Sequence, residues 1–196
     1  AALRYFVGKS NCSAMQGNVA IFAAGNDGKA VAGYPAAYNK LIAVSAVGPD
    51  GNPTYYTCYD RGCNVSAPGG EYFRRNGSIV ESGCVASTLP GDKYAFMQGT
   101  SMACPHVSGI AALAISYAAD NGIVLTLPEL KDIIVSSVSG LKFEGSKANF
   151  DTNGTMNLQA YNNKMGTGLI DAYRVLMAVR GTTCIPVPVG EQFTLD

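Results

Sequence analysis

Two runs, the start of VAIFAAGNDG (Val19–Gly28) up to its closing turn Gly25-Asn26-Asp27-Gly28, and LIAVSAV (Leu41–Val47), are apolar or small at successive positions instead of alternating with polar residues. A strand with one wet face alternates, whereas a strand apolar at every position has to be covered on both sides. Strands of that kind belong to parallel sheets sandwiched by helices. The chain therefore reads as an α/β protein, with three αβα layers around a mainly parallel sheet. NVSAPGG (Asn64–Gly70) reads as a shorter strand and KYAFMQ (Lys93–Gln98) as a last one. The segment between them, rich in glycine, serine and charge, reads as partly hairpin. Residues 1 to about 8 have helical composition.

Helix signals follow. From Ser101 to Asp120 the pattern is helical and small or apolar nearly all round, closed by Asn121-Gly122, which predicts a central, buried helix. TLPELKDIIVSSV (Thr126–Val138) carries a threonine cap, a first-turn proline at Pro128 and an acid at Glu129. DAYRVLMAVRG runs from Asp171 as cap to Gly181 as stop. The stretch from Glu144 to Lys164 reads as polar loop, its DTNGT as a plain turn and not a calcium loop.

Several function classes drop out on composition. Formal net charge is zero and Arg74-Arg75 is the only basic pair, so nucleic-acid binding has no electrostatic support. The single histidine offers no metal cluster. The run Val107–Ala119 is too short to span a bilayer and is broken by serines and a tyrosine. Among six cysteines there is no C-x-x-C spacing. Cys58 and Cys63 bracket the turn-forming YDRG and either close a small disulfide loop, as in an exported protein, or stay thiols. Cys104, in an apolar helix, reads as a buried free thiol. Asn11, Asn64, Asn76 and Asn153 head N-x-S/T triplets, which carry little weight alone.

The chemistry concentrates in GTSMACPHVSG (Gly99–Gly109). Ser101 stands where a strand-like run meets a helix, so helix-end N–H groups point outward beside its hydroxyl. Its own amide and the positive helix end suit an oxyanion formed at an attacked carbonyl. His106 is no match as its base. Five residues at about 100° each set its side chain roughly 140° round the helix from Ser101, so it is expected to be a hydrogen-bonded core residue.

GTSMACPHVSG resembles the nucleophile motif of subtilisin-like serine proteases. The likeness extends in order through AAGNDG (Ala23–Gly28), YPAAYNKLIAVSAV (Tyr34–Val47), VSAPGG (Val65–Gly70), STLPGDKYAFMQGTSMA (Ser87–Ala103) and GTGLIDA (Gly166–Ala172). The resemblance implies a subtilisin-like fold and hydrolysis of peptide bonds through an acyl-enzyme on Ser101. Asn26 would complete the oxyanion hole with its side-chain amide, and Thr100 would face the same hole. Ala23, Ala24 and Gly25 would form one wall of the pocket for the residue preceding the scissile bond, with Gly33 at its base. The substrate would be a polypeptide bound in extended form. No cofactor is required; structural calcium is common in the family, and the backbone carbonyls near Ala36, Tyr38 and Leu41 match one of its weaker sites.

In the subtilisin chain order the acid and the base precede the serine, and neither has a match here. The sequence opens at what resembles the helix before the asparagine strand. Residues 1–181 are thus expected to be the C-terminal part of a catalytic domain whose N-terminal part is missing. An upstream part of the same protease would supply Asp and His, and the chain alone would be nearly inactive. Residues 182–196, proline-bearing, read as a linker or the start of a further segment. Secretion or a cell-envelope location follows from the resemblance. The alternative is a non-catalytic relative that binds peptides or serves as an interaction module.

Overall fold

In a computed structural model, which describes residues 1–181, the two apolar runs lie side by side as parallel strands. Helix α1 (Ala2–Val7) leads through β1 (Met15–Gln16) to β2 (Ile21–Ala23), β3 (Ile42–Val47) and β4 (Val65–Pro68). Two antiparallel hairpins follow, β5 (Phe73–Arg75) with β6 (Ser78–Val80), and β7 (Val85–Leu89) with β8 (Lys93–Met97). The long helix α2 (Thr100–Asp120) precedes β9 (Leu125–Thr126), α3 (Leu127–Ser136) and β10 (Val138–Ser139). A third hairpin, β11 (Ser146–Ala148) with β12 (Thr155–Asn157), comes before a 3-10 turn, Leu158–Tyr161. Last come β13 (Leu169–Ile170) and α4 (Ala172–Val179).

The main sheet has the order β10-β13-β4-β3-β2 and is parallel except for β10. Every residue of β3 is buried, as its composition requires. Ile42, Val44 and Ala46 face the helices and join Val65 and Ala67 of β4 in the largest core cluster. The intervening positions face the other way: Ala43 into an alanine-rich cluster with Ala24, Ala32, Ala36 and Cys58, and Val47 against Phe143, Leu158 and Met165. Sheet, helices and this second covering make the three layers of an α/β fold. Two serines on the second face remain buried because their hydroxyls donate to backbone: Ser45 to the Cys58 carbonyl and Ser66 to the Met165 carbonyl, both at 2.8 Å.

α2 packs on β2, β3, β4 and α4. It does so through one stripe, Ala103, Val107, Ala111, Ala114 and Ala118, whose three- and four-residue spacing puts them on one side. Small side chains there let the helix axis approach the sheet closely, and burying Val107 alone contributes about 1.5–3 kcal/mol. The helix is therefore not buried all round: Leu113 is exposed on the opposite side. Alanine and glycine line both sides of it, so residue type could not separate the packed side from the exposed one. By length and composition α2 could cross a membrane, but its stripe is spent on the sheet.

The polar stretch from Glu144 to Lys164 contains the third hairpin instead of being loop throughout. Its turn is held by Asn149, whose side-chain oxygen accepts the N–H groups of Asp151 and Thr152, and by Asn153 at φ 55°. Strands of three residues are too short to show a period. α3 has the expected cap: Thr126 and Glu129 exchange side-chain and backbone bonds in a capping box. The N-cap of α4 is Asp171, accepting the Arg174 N–H.

A buried ion pair ties the third hairpin to the turn after β4. The Lys147 ammonium bonds the Glu71 carboxylate, which also accepts the Tyr55 N–H at 2.9 Å. Burial holds the Glu71 carboxyl above its usual range, against the opposing pull of Lys147. A raised folded-state value means the stability it contributes is present at low pH and fades as pH rises past about 4.5, the unfolded value. Removing Glu71 leaves Lys147 only the more exposed Asp50 carboxylate at 3.6 Å, so Glu71→Ala is expected to cost about 1–3 kcal/mol in denaturant unfolding, while a paired apolar replacement of Glu71 and Lys147 costs less. Glu71→Gln flattens the fall in stability between pH 4.5 and neutrality, measured by melting temperature across that range.

Candidate active site

Ser101 is the second residue of α2 and is exposed. The turn before it is tied to the end of β4: the Gly99 N–H donates to the Gly69 carbonyl and to the Tyr56 hydroxyl, each at 2.9 Å. Tyr56 in turn lies 3.0 Å from the Gly69 carbonyl and 2.5 Å from that of Gly70, so one phenol joins three backbone groups. Burial pushes its pKa far up, and it stays a donor.

Asn26 lies just beyond β2. Its side-chain oxygen accepts the Thr100 N–H at 2.9 Å and the Thr100 hydroxyl at 2.8 Å. With the oxygen committed, the amide nitrogen is turned outward against Gly99; a Cβ built on Gly99 would stand 3.4 Å from Nδ2. The Ser101 N–H has no hydrogen-bond partner among the described residues, as expected for a first-turn amide. Two N–H donors of this turn, Ser101 N–H and Asn26 Nδ2, are thus uncommitted. Their neighbour Thr100 is fully buried, and its hydroxyl is spent on Asn26 and on the Gly25 N–H at 3.2 Å. That makes Thr100 a positioning residue in this arrangement; the cap position belongs to Gly99, which has no side chain to offer.

Ala23 ends β2 and is half-buried, and Ala24 is fully buried. The Gly33 N–H donates to the Ala24 carbonyl at 2.8 Å, which brings Gly33 beside the Ala23–Gly25 stretch. The Ala24 methyl belongs to the alanine cluster, so what this residue presents there is backbone. Gly25 has φ 118° and a Cβ on it would meet Cys58 Sγ at 3.1 Å, so a side chain is excluded by both conformation and space.

Two expectations are corrected, on His106 and on the burial of Cys104. His106 is not core: it is exposed, with Nδ1 bonded to the Met102 carbonyl at 2.8 Å, one turn back along α2. The ring takes its partner from its own helix, so no burial was needed to satisfy it. Cys58 and Cys63 are free thiols, Cys63 Sγ lying 3.6 Å from the Cys58 carbonyl instead of bonding its sulfur. Burial pushes the Cys63 thiol up to about 11. Cys104 is free as expected but only half-buried.

Two of the three carbonyls matched to a calcium site already have hydrogen-bond partners. That of Tyr38 accepts the Leu41 N–H at 2.8 Å, and that of Leu41 accepts the Lys131 ammonium at 2.7 Å. Tyr56 and Lys131 were not legible beforehand: a tyrosine within TYYTCYD and a lysine within a helix carry no motif that marks their partners.

The family model described as "Subtilase family" matches residues 4–168. The extracellular basic protease of Dichelobacter nodosus is 32% identical over 166 residues, covering 84% of this chain and 24% of that one. The thermophilic serine proteinase of Bacillus sp. strain AK1 is 38% identical over 106 residues, or 54% of this chain and 23% of the other. The chain thus spans about a quarter of the length of these relatives. A protease structure from Pseudoalteromonas arctica superposes with a TM-score of 0.59 at 32% identity, covering 84% of this chain and 43% of that one. The patellamide maturation protease PatA shares the fold at a TM-score of 0.62 and 21% identity, covering 82% and 51%.

Two measurements check the site's construction. Thr100→Val loses two hydrogen bonds in a buried position and is expected to lower unfolding stability by about 1–3 kcal/mol. Alkylation of the denatured, unreduced protein is expected to label both Cys58 and Cys63; a pair that labels only after reduction would show a bridge.

Proposed function

Because the chain belongs to the subtilase family, we propose that it carries the nucleophile and the oxyanion hole of a serine endopeptidase acting on extended polypeptide. The Ser101 hydroxyl attacks the scissile carbonyl carbon and gives up its proton to a base. The carbonyl oxygen becomes an oxyanion that accepts from the Ser101 N–H and from Asn26 Nδ2–H. Collapse expels the amine, which takes the proton from the base, and leaves an acyl group on Ser101. Water then attacks the ester by the reverse proton route.

The observation that carries this reading is the Asn26–Thr100 pair of bonds. An amide free to rotate would present either end to the substrate. Held through its oxygen, it presents only the donor, without reorganisation when charge develops. Gly25 and Gly33, with Ala23 and the backbone of Ala24, are proposed to line the position of the substrate residue preceding the scissile bond. The base and its acid are proposed to come from sequence outside these 196 residues. The one histidine, His106, already uses Nδ1 on Met102 and sits five residues along the helix. Among the described residues β2 pairs only with β3, so its other edge offers backbone groups to further strands next to the site. An extracytoplasmic location is proposed from the relative named as an extracellular protease.

A fluorophosphonate probe on the full-length protein is expected to label Ser101 and to fail on Ser101→Ala. Absence of labelling on a folded full-length protein that contains the acid and base would sink the reading and favour a peptide-binding module. Asn26→Ala is expected to lower kcat by about 10²–10³, the loss known for the oxyanion asparagine of subtilisin itself, with KM little changed.

A further inference from the structure

The loop from Gly33 to Leu41 leaves the site and feeds β3, and its last carbonyls point at a cation that belongs to the chain. Lys131, on α3, donates from Nζ to the Asn39 carbonyl at 2.8 Å and to the Leu41 carbonyl at 2.7 Å. Leu41 is fully buried and Lys131 half-buried, so this contact is partly shielded from water. Within the loop the Leu41 N–H donates to the Tyr38 carbonyl, and the Tyr38 N–H to that of Pro35 at 3.0 Å.

We infer that Lys131 is the resident cation of this loop, doing through two hydrogen bonds what a bound calcium ion would do, so that the loop is held without metal. A calcium ion needs six to eight oxygens at about 2.3–2.6 Å. Here the Leu41 oxygen is engaged by an ammonium and the Tyr38 oxygen by an amide. A calcium ion sharing the Leu41 oxygen would lie within about 5 Å of Nζ, where the two positive charges repel. Among the described residues no group of three or more acidic, histidine or cysteine side chains is placed to hold a metal, and the carboxylate that acts on Lys131 is the single Asp132 next to it in sequence. The ammonium satisfies both carbonyls, arrives with the chain, and ties α3 to the entry of β3 across 90 residues of sequence.

The consequence is local and metal-independent order. Hydrogen exchange of the 36–42 segment in the full-length protein is expected to be the same in millimolar calcium and in EDTA, wherever else the protein binds calcium. Lys131→Met should speed exchange of the Leu41 and Ile42 amides about tenfold, the loss of one charge-assisted bond's worth of protection. Lys131→Arg, which keeps donors at the same reach, should remain near the parent. Faster exchange of this segment in EDTA in the unsubstituted protein would overturn the inference, without touching the reading of Ser101. Unchanged exchange in folded Lys131→Met would overturn it too.

Discussion

One acceptor, the side-chain oxygen of Asn26, joins the two halves of the site. It takes the backbone N–H and the hydroxyl of Thr100, and so couples the end of β2 to the first turn of α2. Each bond is worth about 1 kcal/mol net in stability. Their value lies more in geometry: the same two bonds orient the asparagine amide and fill the free valence of a helix that has a glycine for its cap. Thr100 then passes the constraint on to the Gly25 N–H. Backbone and side chain at the end of the strand are thereby fixed relative to the serine.

That coupling works because the layers beneath it are tightly packed. β3 sends Ile42, Val44 and Ala46 to one side and Ala43 and Val47 to the other, and neither side meets water. α2 lies against the first side with alanines, so small shifts of the helix would clash or open voids at once. The serine at its end inherits the precision of that packing.

Legibility followed the distance between partners in sequence. β2, β3, β4 and the three longer helices were readable, because period, caps and breakers are local. The subtilase family itself was readable through motifs that span the chain. The hairpin of β11 and β12 leaves no such mark, since Asn149 and Asn153 shape a turn between strands too short to alternate. An apolar helix suggests a core place for His106, yet which face of an alanine-rich helix packs is decided by the sheet. The ties that bind remote segments had no local mark at all: Tyr56 to Gly99 across 43 residues, Lys147 to Glu71 across 76 and Lys131 to Leu41 across 90. Such partners are chosen by tertiary approach, and a polar side chain seen alone is indistinguishable from a solvated one.

The phenol of Tyr56 has a further bearing on alkalinity. An ordinary tyrosine loses its proton near pH 10 and becomes an acceptor only. Here that would set a negative oxygen against the carbonyls of Gly69 and Gly70, on a side chain that is buried. Burial disfavours that ionisation, so the hydroxyl keeps its proton where exposed phenols have surrendered theirs. The glycine bend that aims Ser101 is hence moored by a group that mild base does not unfasten.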